Sequence, residues 1–313
     1  MHFKISSQIK ISSQINNKLK LHRRAHDQRT SFDGFLLKVA IIPLILNLIA
    51  CNEPTAEQKQ EKVEQEQVQK QGYANLVAMP VIADYALPFC EDEYCIDVEV
   101  FGFKSKDQWF NTFVKAQTAD LIRQQLGISQ KLSLQRAVNE FVQRSDAWRE
   151  TQLAENKHEK PQAWSMYLKP RVAMQQNELA LLIINSSYQL GEDSVPERQY
   201  FYVVDRKAQQ QLRLYDVINE NQRVAFSNFL QTQYQAWRDK QSTAIQSKLP
   251  AKIYWANQDW FFDEQGIAIY YRFDDLCKQC EEIQGEDFTI YLNPTQSQQW
   301  FKAGLRKQLN FAP

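Results

Sequence analysis

The stretch Leu179-Ala-Leu-Leu-Ile-Ile184 sets six apolar residues in a row inside a strand-like run over 178–188. A half-buried strand alternates apolar and polar residues. A short unbroken apolar run instead fits a strand covered on both faces. These residues are therefore expected to form the central strand of the fold. Two further strand-like runs flank it, over 163–174 and 198–204.

Upstream, Ile96-Asp-Val-Glu-Val-Phe-Gly-Phe103 alternates with period two, as a half-buried strand does. Ser105 and Gln108 have the spacing of a capping box. Behind them Trp109, Phe110, Phe113, Val114, Leu121 and Ile122 recur at helical spacing until Gly127. A second helix is predicted over 133–155, carrying Ala137, Val138, Phe141, Val142 and Trp148.

Downstream, a helix over 222–240 gathers Phe226, Phe229, Leu230, Tyr234 and Trp237 on one face. Trp260-Phe-Phe262 and Ile267-Ala-Ile-Tyr-Tyr-Arg-Phe273 flank Asp263-Glu-Gln-Gly266, which reads as a hairpin with Gly at a position of positive φ. A last strand is predicted over 287–292. Asn293 then caps a final helix, with Pro294 at its first position and Gln296 completing a capping box. The order of these pieces implies an α+β fold, mainly antiparallel sheet packed with three to four helices.

The chain has 313 residues, with seven Trp, thirteen Tyr and eighteen Phe, enough for one or two domains with real cores. Its formal charge is zero, an average of unlike parts. Residues 1–51 hold eight of the 37 basic side chains and two of the 37 acidic ones, so the remainder carries 29 against 35, a net charge of −6. An acidic body argues against nucleic acid as a partner, since phosphate binding needs a basic face.

Lys38 is followed by Val39-Ala-Ile-Ile-Pro-Leu-Ile-Leu-Asn-Leu-Ile-Ala50, the most hydrophobic stretch of the chain. As a helix it would span about 18 Å, short of the roughly 30 Å hydrocarbon core of a bilayer. With basic residues before it, it has the proportions of a signal-peptide core. Leu48-Ile49-Ala50-Cys51 resembles the lipobox of bacterial lipoproteins. That resemblance implies cleavage before Cys51, a diacylglycerol on its sulfur and usually a further acyl chain on its amine. Two or more chains anchor stably. Asn52, rather than Asp, follows the cysteine, which implies an outer-membrane location facing the periplasm.

The expected organisation is a signal peptide over 1–50, a lipidated Cys51 with a tether over 51–72, a first α+β subdomain over 73–160 and a second over 161–313. Residues 1–35 are too long for an ordinary n-region, and translation is expected to begin near Leu36 or Leu37. The segment NEPTAEQKQEKVEQEQVQKQG over 52–72 has almost no large apolar residue, and as a flexible chain its ends would lie roughly 25 Å apart.

The other cysteines are Cys90, Cys95, Cys277 and Cys280. Outside the cytosol such residues usually end as disulfides. Of the three pairings, the two local ones, 90–95 and 277–280, are expected. Zinc and a redox role for the CxxC are the alternatives, and no metal and no cofactor is assigned. His158 is the only histidine after Cys51 and sits in a polar stretch, 155–161. The chain has no GxSxG, GxGxxG or P-loop pattern. No catalytic residue is assigned, although a distant pair of carboxylates would leave no local signature. Trp255 and Trp260 could form a binding patch, but core is the commoner role for such residues.

The C-terminal half carries an order of motifs: a strand ending Asn185-Ser-Ser-Tyr188, then Tyr200-Phe-Tyr-Val-Val-Asp205, Leu212-Arg-Leu-Tyr-Asp216, the Phe261–Phe273 hairpin, and Gly285-Glu-Asp-Phe-Thr-Ile-Tyr-Leu292 before a helix. Over residues 164–309 this resembles the RsiV-like extracellular domain, found in an anti-sigma factor that senses lysozyme. Where members often have a Gly-Ala-His turn, this chain has Gln189-Leu-Gly-Glu-Asp193. Such domains also occur beside some peptidoglycan deacetylase domains; this chain shows neither a sigma-binding segment nor a deacetylase domain, so neither activity is carried over. The resemblance implies a binding module of the cell envelope, for a lysozyme-like protein or peptidoglycan. A carboxylate-dependent glycan hydrolase and a thiol–disulfide protein are the alternatives.

Overall fold

The structure, a computed structural model, describes residues 76–77, 79–82, 95–155, 161, 163–280 and 285–311, all within the compact unit Pro54–Pro313. The fold is α+β. One sheet holds six strands in chain order: β1 (Met79–Ile82), β2 (Asp97–Lys104), β3 (Ser165–Gln176), β4 (Leu179–Leu190), β5 (Asp193–Asp205) and β6 (Gln210–Gln211). A second sheet holds β7 (Asp259–Phe262), β8 (Ile267–Tyr271) and β9 (Phe288–Leu292). Every pairing is antiparallel except β2 with β3, which run parallel from Asp97 opposite Ser165.

Strand β4 lies inside the larger sheet, and each of its residues from Leu179 to Ile184 is buried. Ala180, Leu182 and Ile184 face one core, built from helices α1 (Gln108–Gln125) and α2 (Leu134–Ala154) with Val100, Phe110, Phe141 and Leu168. Leu179, Leu181 and Ile183 face a second core with the β7–β9 sheet and helix α4 (Arg223–Arg238), reached after the short helix α3 (Leu214–Val217). Burying each such Leu or Ile contributes about 1.5–3 kcal/mol, so this strand is held from both sides. The β2–β3 pairing joins residues on either side of position 160, and one core draws on both flanks.

The first helix starts differently from expectation. Its N-cap is Asp107, whose carboxylate accepts the Phe110 amide at 2.9 Å. Ser105 instead donates its hydroxyl to the Asn111 side chain at 2.8 Å and accepts the Asp107 amide at 3.2 Å. A carboxylate at that position also meets Arg206, which a serine two residues earlier does not replace. The second helix falls where expected, with Ser133 as its N-cap, and Asn293 with Gln296 forms the expected capping box. The helix that follows is cut in two, α7 (Pro294–Trp300) and α8 (Ala303–Gln308). Between them Phe301 is extended, bridges Ile218 and is fully buried against Phe226. Two one-turn helices complete the chain, α5 (Thr243–Gln246) before β7 and α6 (Phe273–Leu276) after β8.

The predicted β7–β8 hairpin forms across Asp263–Gly266. Gly266 has φ of 158°, and a Cβ there would stand 2.1 Å from the Leu292 carbonyl oxygen. The turn therefore needs glycine for close approach to β9. Among the described residues, no helix is long and apolar enough to cross a membrane. The expected signal peptide and tether lie outside the described residues.

Candidate functional site

The two sheets meet at a cleft of about 380 Å³. Its apolar wall draws on both sheets: Phe201 of β5 from one, Phe261 of β7 and Tyr270 of β8 from the other. Phe201 stacks on Phe261 with centroids 4.9 Å apart and meets Tyr270 edge-on at 5.1 Å. Such ring pairs are worth about 0.5–1.5 kcal/mol beyond their burial and hold their orientation. Met174 and Leu181 extend the floor, while Arg171 and Asp263 stand at the rim. One Asp263 oxygen accepts the amides of Gln265 at 2.7 Å and Gly266 at 3.0 Å together with the Tyr291 hydroxyl. The turn itself thus fixes this rim carboxylate.

Beside the cleft, Arg272 joins β5, β7 and α6. It donates to the Asp259 carboxylate at 2.5 Å, the Gln199 carbonyl at 2.7 Å and the Asp275 carboxylate at 3.0 Å. Its guanidinium lies 4.7 Å from the Tyr200 ring centre and 5.7 Å from that of Tyr270. With 12% of its side chain exposed, it is a desolvated cation held by two carboxylates and two rings. Burial raises the Asp259 carboxyl above the ordinary aspartate range, and Arg272 pulls it back down. Burial, aided by the Asp259 charge, lifts the Tyr202 phenol far above its ordinary value. The Tyr270 hydroxyl donates to Asp287, whose other oxygen accepts the Phe273 amide at 2.8 Å.

These carboxylates serve cations, turns and hydroxyls of the protein. What the arrangement offers a ligand is a rigid aromatic concavity with an arginine and an aspartate at its edge. The sequence reading missed it, because Phe201, Phe261 and Tyr270 look like ordinary strand residues. The only local signal was the alternation that puts Asp259 and Phe261 on one face of β7.

The residues singled out from sequence fall elsewhere. Cys51, Cys90 and His158 lie outside the described residues. Cys277 and Cys280 form the expected disulfide, with Cα atoms 5.3 Å apart and both residues buried near Leu249 and Phe273. Cys95 is disulfide-bonded as well. Trp260 is core, 3% exposed, with its indole N–H donating to the Leu212 carbonyl at 2.9 Å. Trp255 is half-buried and stacks on Tyr215, whose ring also carries the Arg223 guanidinium 3.6 Å from its centre. The aromatic residue that stands free in this neighbourhood is Tyr254, 90% exposed.

No protein-family model matches the chain, and no curated protein does either. Solved structures are similar in fold. A member of the DUF3298 family from Bacteroides fragilis NCTC 9343 matches with a TM-score of 0.51 at 14% identity, over 76% of this chain and 98% of that one. A DUF3298 family protein from Pseudomonas aeruginosa PAO1 matches with a TM-score of 0.49 at 17% identity, over 74% of this chain and 94% of that one. The structural neighbours are thus DUF3298 family proteins, and at these identities the likeness is one of fold.

Proposed function

We propose that this chain is a lipid-anchored protein of the bacterial cell envelope that works by binding, and that its ligand seats in the aromatic cleft between the two sheets. The observation that carries the reading is the Phe201–Phe261–Tyr270 wall with Arg171 and Asp263 at its rim. A cleft of this size admits one or two side chains of a partner protein or one sugar ring. The RsiV-like resemblance directs attention to a lysozyme-like protein or to peptidoglycan. The net charge of −6 after residue 51 favours the protein, since lysozyme is a basic partner for an acidic body. Attachment through acylated Cys51, on the outer membrane and facing the periplasm, would place the cleft where either ligand is met.

Titration calorimetry with lysozyme and co-sedimentation with purified sacculi test the reading. Binding to one of them, weakened at least tenfold by Phe261→Ala, is expected. Binding to neither would sink the proposal, and binding untouched by Phe261→Ala would move the site away from the cleft. Mass spectrometry of the mature N-terminus tests the anchor independently: an unacylated chain that begins before Cys51 would remove it.

A further inference from the structure

A second cleft, of about 460 Å³, lies on the other side of the β7–β8 unit, between the segment leading into β7 and helix α6 with the Cys277–Cys280 loop. Three lysines line it, Lys248, Lys252 and Lys278, all exposed and none in an ion pair with a described residue. The carboxylate among its lining residues, Asp275, is already bonded to Arg272 at 3.0 Å. Tyr254, 90% exposed, adds an aromatic face.

Tyr271 also lines this cleft and is 2% exposed. Its ring packs on Phe288, with centroids 5.5 Å apart. Its hydroxyl is buried and has no hydrogen-bond partner among the described residues. A buried hydroxyl without a partner is disfavoured, and natural proteins keep few of them. An acceptor that completes this hydroxyl from inside a cleft lined by three lysines would carry negative charge.

We propose that this second cleft is an oxyanion site, and that its ligand is a phosphate group received by the Tyr271 hydroxyl and the ammonium groups of Lys248, Lys252 and Lys278. Among the described lining residues, three cations stand against one committed carboxylate, a balance that suits a group carrying up to two charges better than a single carboxylate. Lysine binds phosphate as a flexible point charge, which suits residues spread along two separate segments. The phosphate could belong to a free anion or to the headgroup of a membrane lipid. The site does not depend on the aromatic cleft or on what binds there.

The test uses the full purified chain, its Tyr271→Phe variant and the triple variant Lys248→Ala/Lys252→Ala/Lys278→Ala. Thermal unfolding is followed with inorganic phosphate against chloride at equal ionic strength. Co-sedimentation with phosphatidylglycerol vesicles is compared with phosphatidylcholine vesicles. Unliganded Tyr271→Phe should unfold at the same temperature as the parent or slightly higher, because it removes an unpaired hydroxyl. In the parent, phosphate should raise the midpoint by several degrees beyond chloride, or phosphatidylglycerol should bind at least tenfold better than in both variants. A response to phosphate assigns a soluble anion, and a response only to phosphatidylglycerol assigns a headgroup. If parent and variants respond alike in both arms, or the parent responds in neither, the site is refuted.

Discussion

Asp107 and Arg206, 99 positions apart, are joined by a 2.9 Å ion pair while Asp107 also caps helix α1. One carboxylate oxygen takes the Phe110 amide and the other takes the guanidinium, whose side chain is 6% exposed. The start of the first helix is thereby tied to the end of β5.

Asp107→Asn keeps an N-capping side chain but removes the charge facing Arg206. Breaking a buried pair from one side typically costs about 3–5 kcal/mol, whereas the Asn cap itself is nearly equivalent. Urea unfolding should show that loss as a lower midpoint, with part of it recovered by adding Arg206→Met. A loss below about 1 kcal/mol, the range of exposed pairs, would show that the pair behaves as a surface contact.

Alkaline pH should unfold the protein through its tyrosines. Burial raises the phenols of Tyr188, Tyr202, Tyr270, Tyr271 and Tyr291 above their ordinary value, with Asp287 adding to the shift at Tyr270 and Asp263 to that at Tyr291. An acid whose pKa is higher in the fold contributes stability that is complete below the unfolded value of about 10 and is lost as pH rises from there toward the folded value. Absorbance at 295 nm should therefore show a fraction of the thirteen tyrosines ionising only together with loss of circular dichroism. Smooth titration of all of them near pH 10 in folded protein would contradict the burial.

Gly266→Ala should cost about 1–3 kcal/mol or more, the range for backbone held where a side chain does not fit. The new methyl would press on the Leu292 carbonyl oxygen, so β7–β8 must shift against β9. Thermal unfolding measures the loss. An unchanged midpoint would mean that the turn does not approach β9 this closely.

Phe201→Ala and Phe261→Ala should separate stability from binding. Phe201 is 9% exposed within the second core, and truncating a buried Phe costs about 3–5 kcal/mol. Phe261 is only half-buried, so its truncation should cost less in urea unfolding and more in ligand affinity. The reverse order would place the ligand elsewhere.

Much of the fold was legible because local signals agreed with the global packing. The unbroken run 179–184 marked β4, and Ser133 and Asn293 marked two helix starts. What was not legible depended on distant partners. Asp107 outcompetes Ser105 as a cap in company with Arg206, which no local window contains. Strand β1, with Pro80 in its four residues, carries a strand-breaking signal. The parallel β2–β3 pairing spans two helices and leaves no mark in either strand. Likewise, the aromatic cleft assembles rings from β5, β7 and β8, each unremarkable alone, whereas Trp260 takes the core role that is the commoner one for such a residue.

The six residues of β4 answer to two neighbours at once, and this limits how the molecule can be divided. A fragment lacking residues 95–155 would bare Ala180, Leu182 and Ile184, and one lacking the β7–β9 sheet would bare Leu179, Leu181 and Ile183. Neither piece could keep its greasy side dry, so the two halves stand or fall as a single cooperative body.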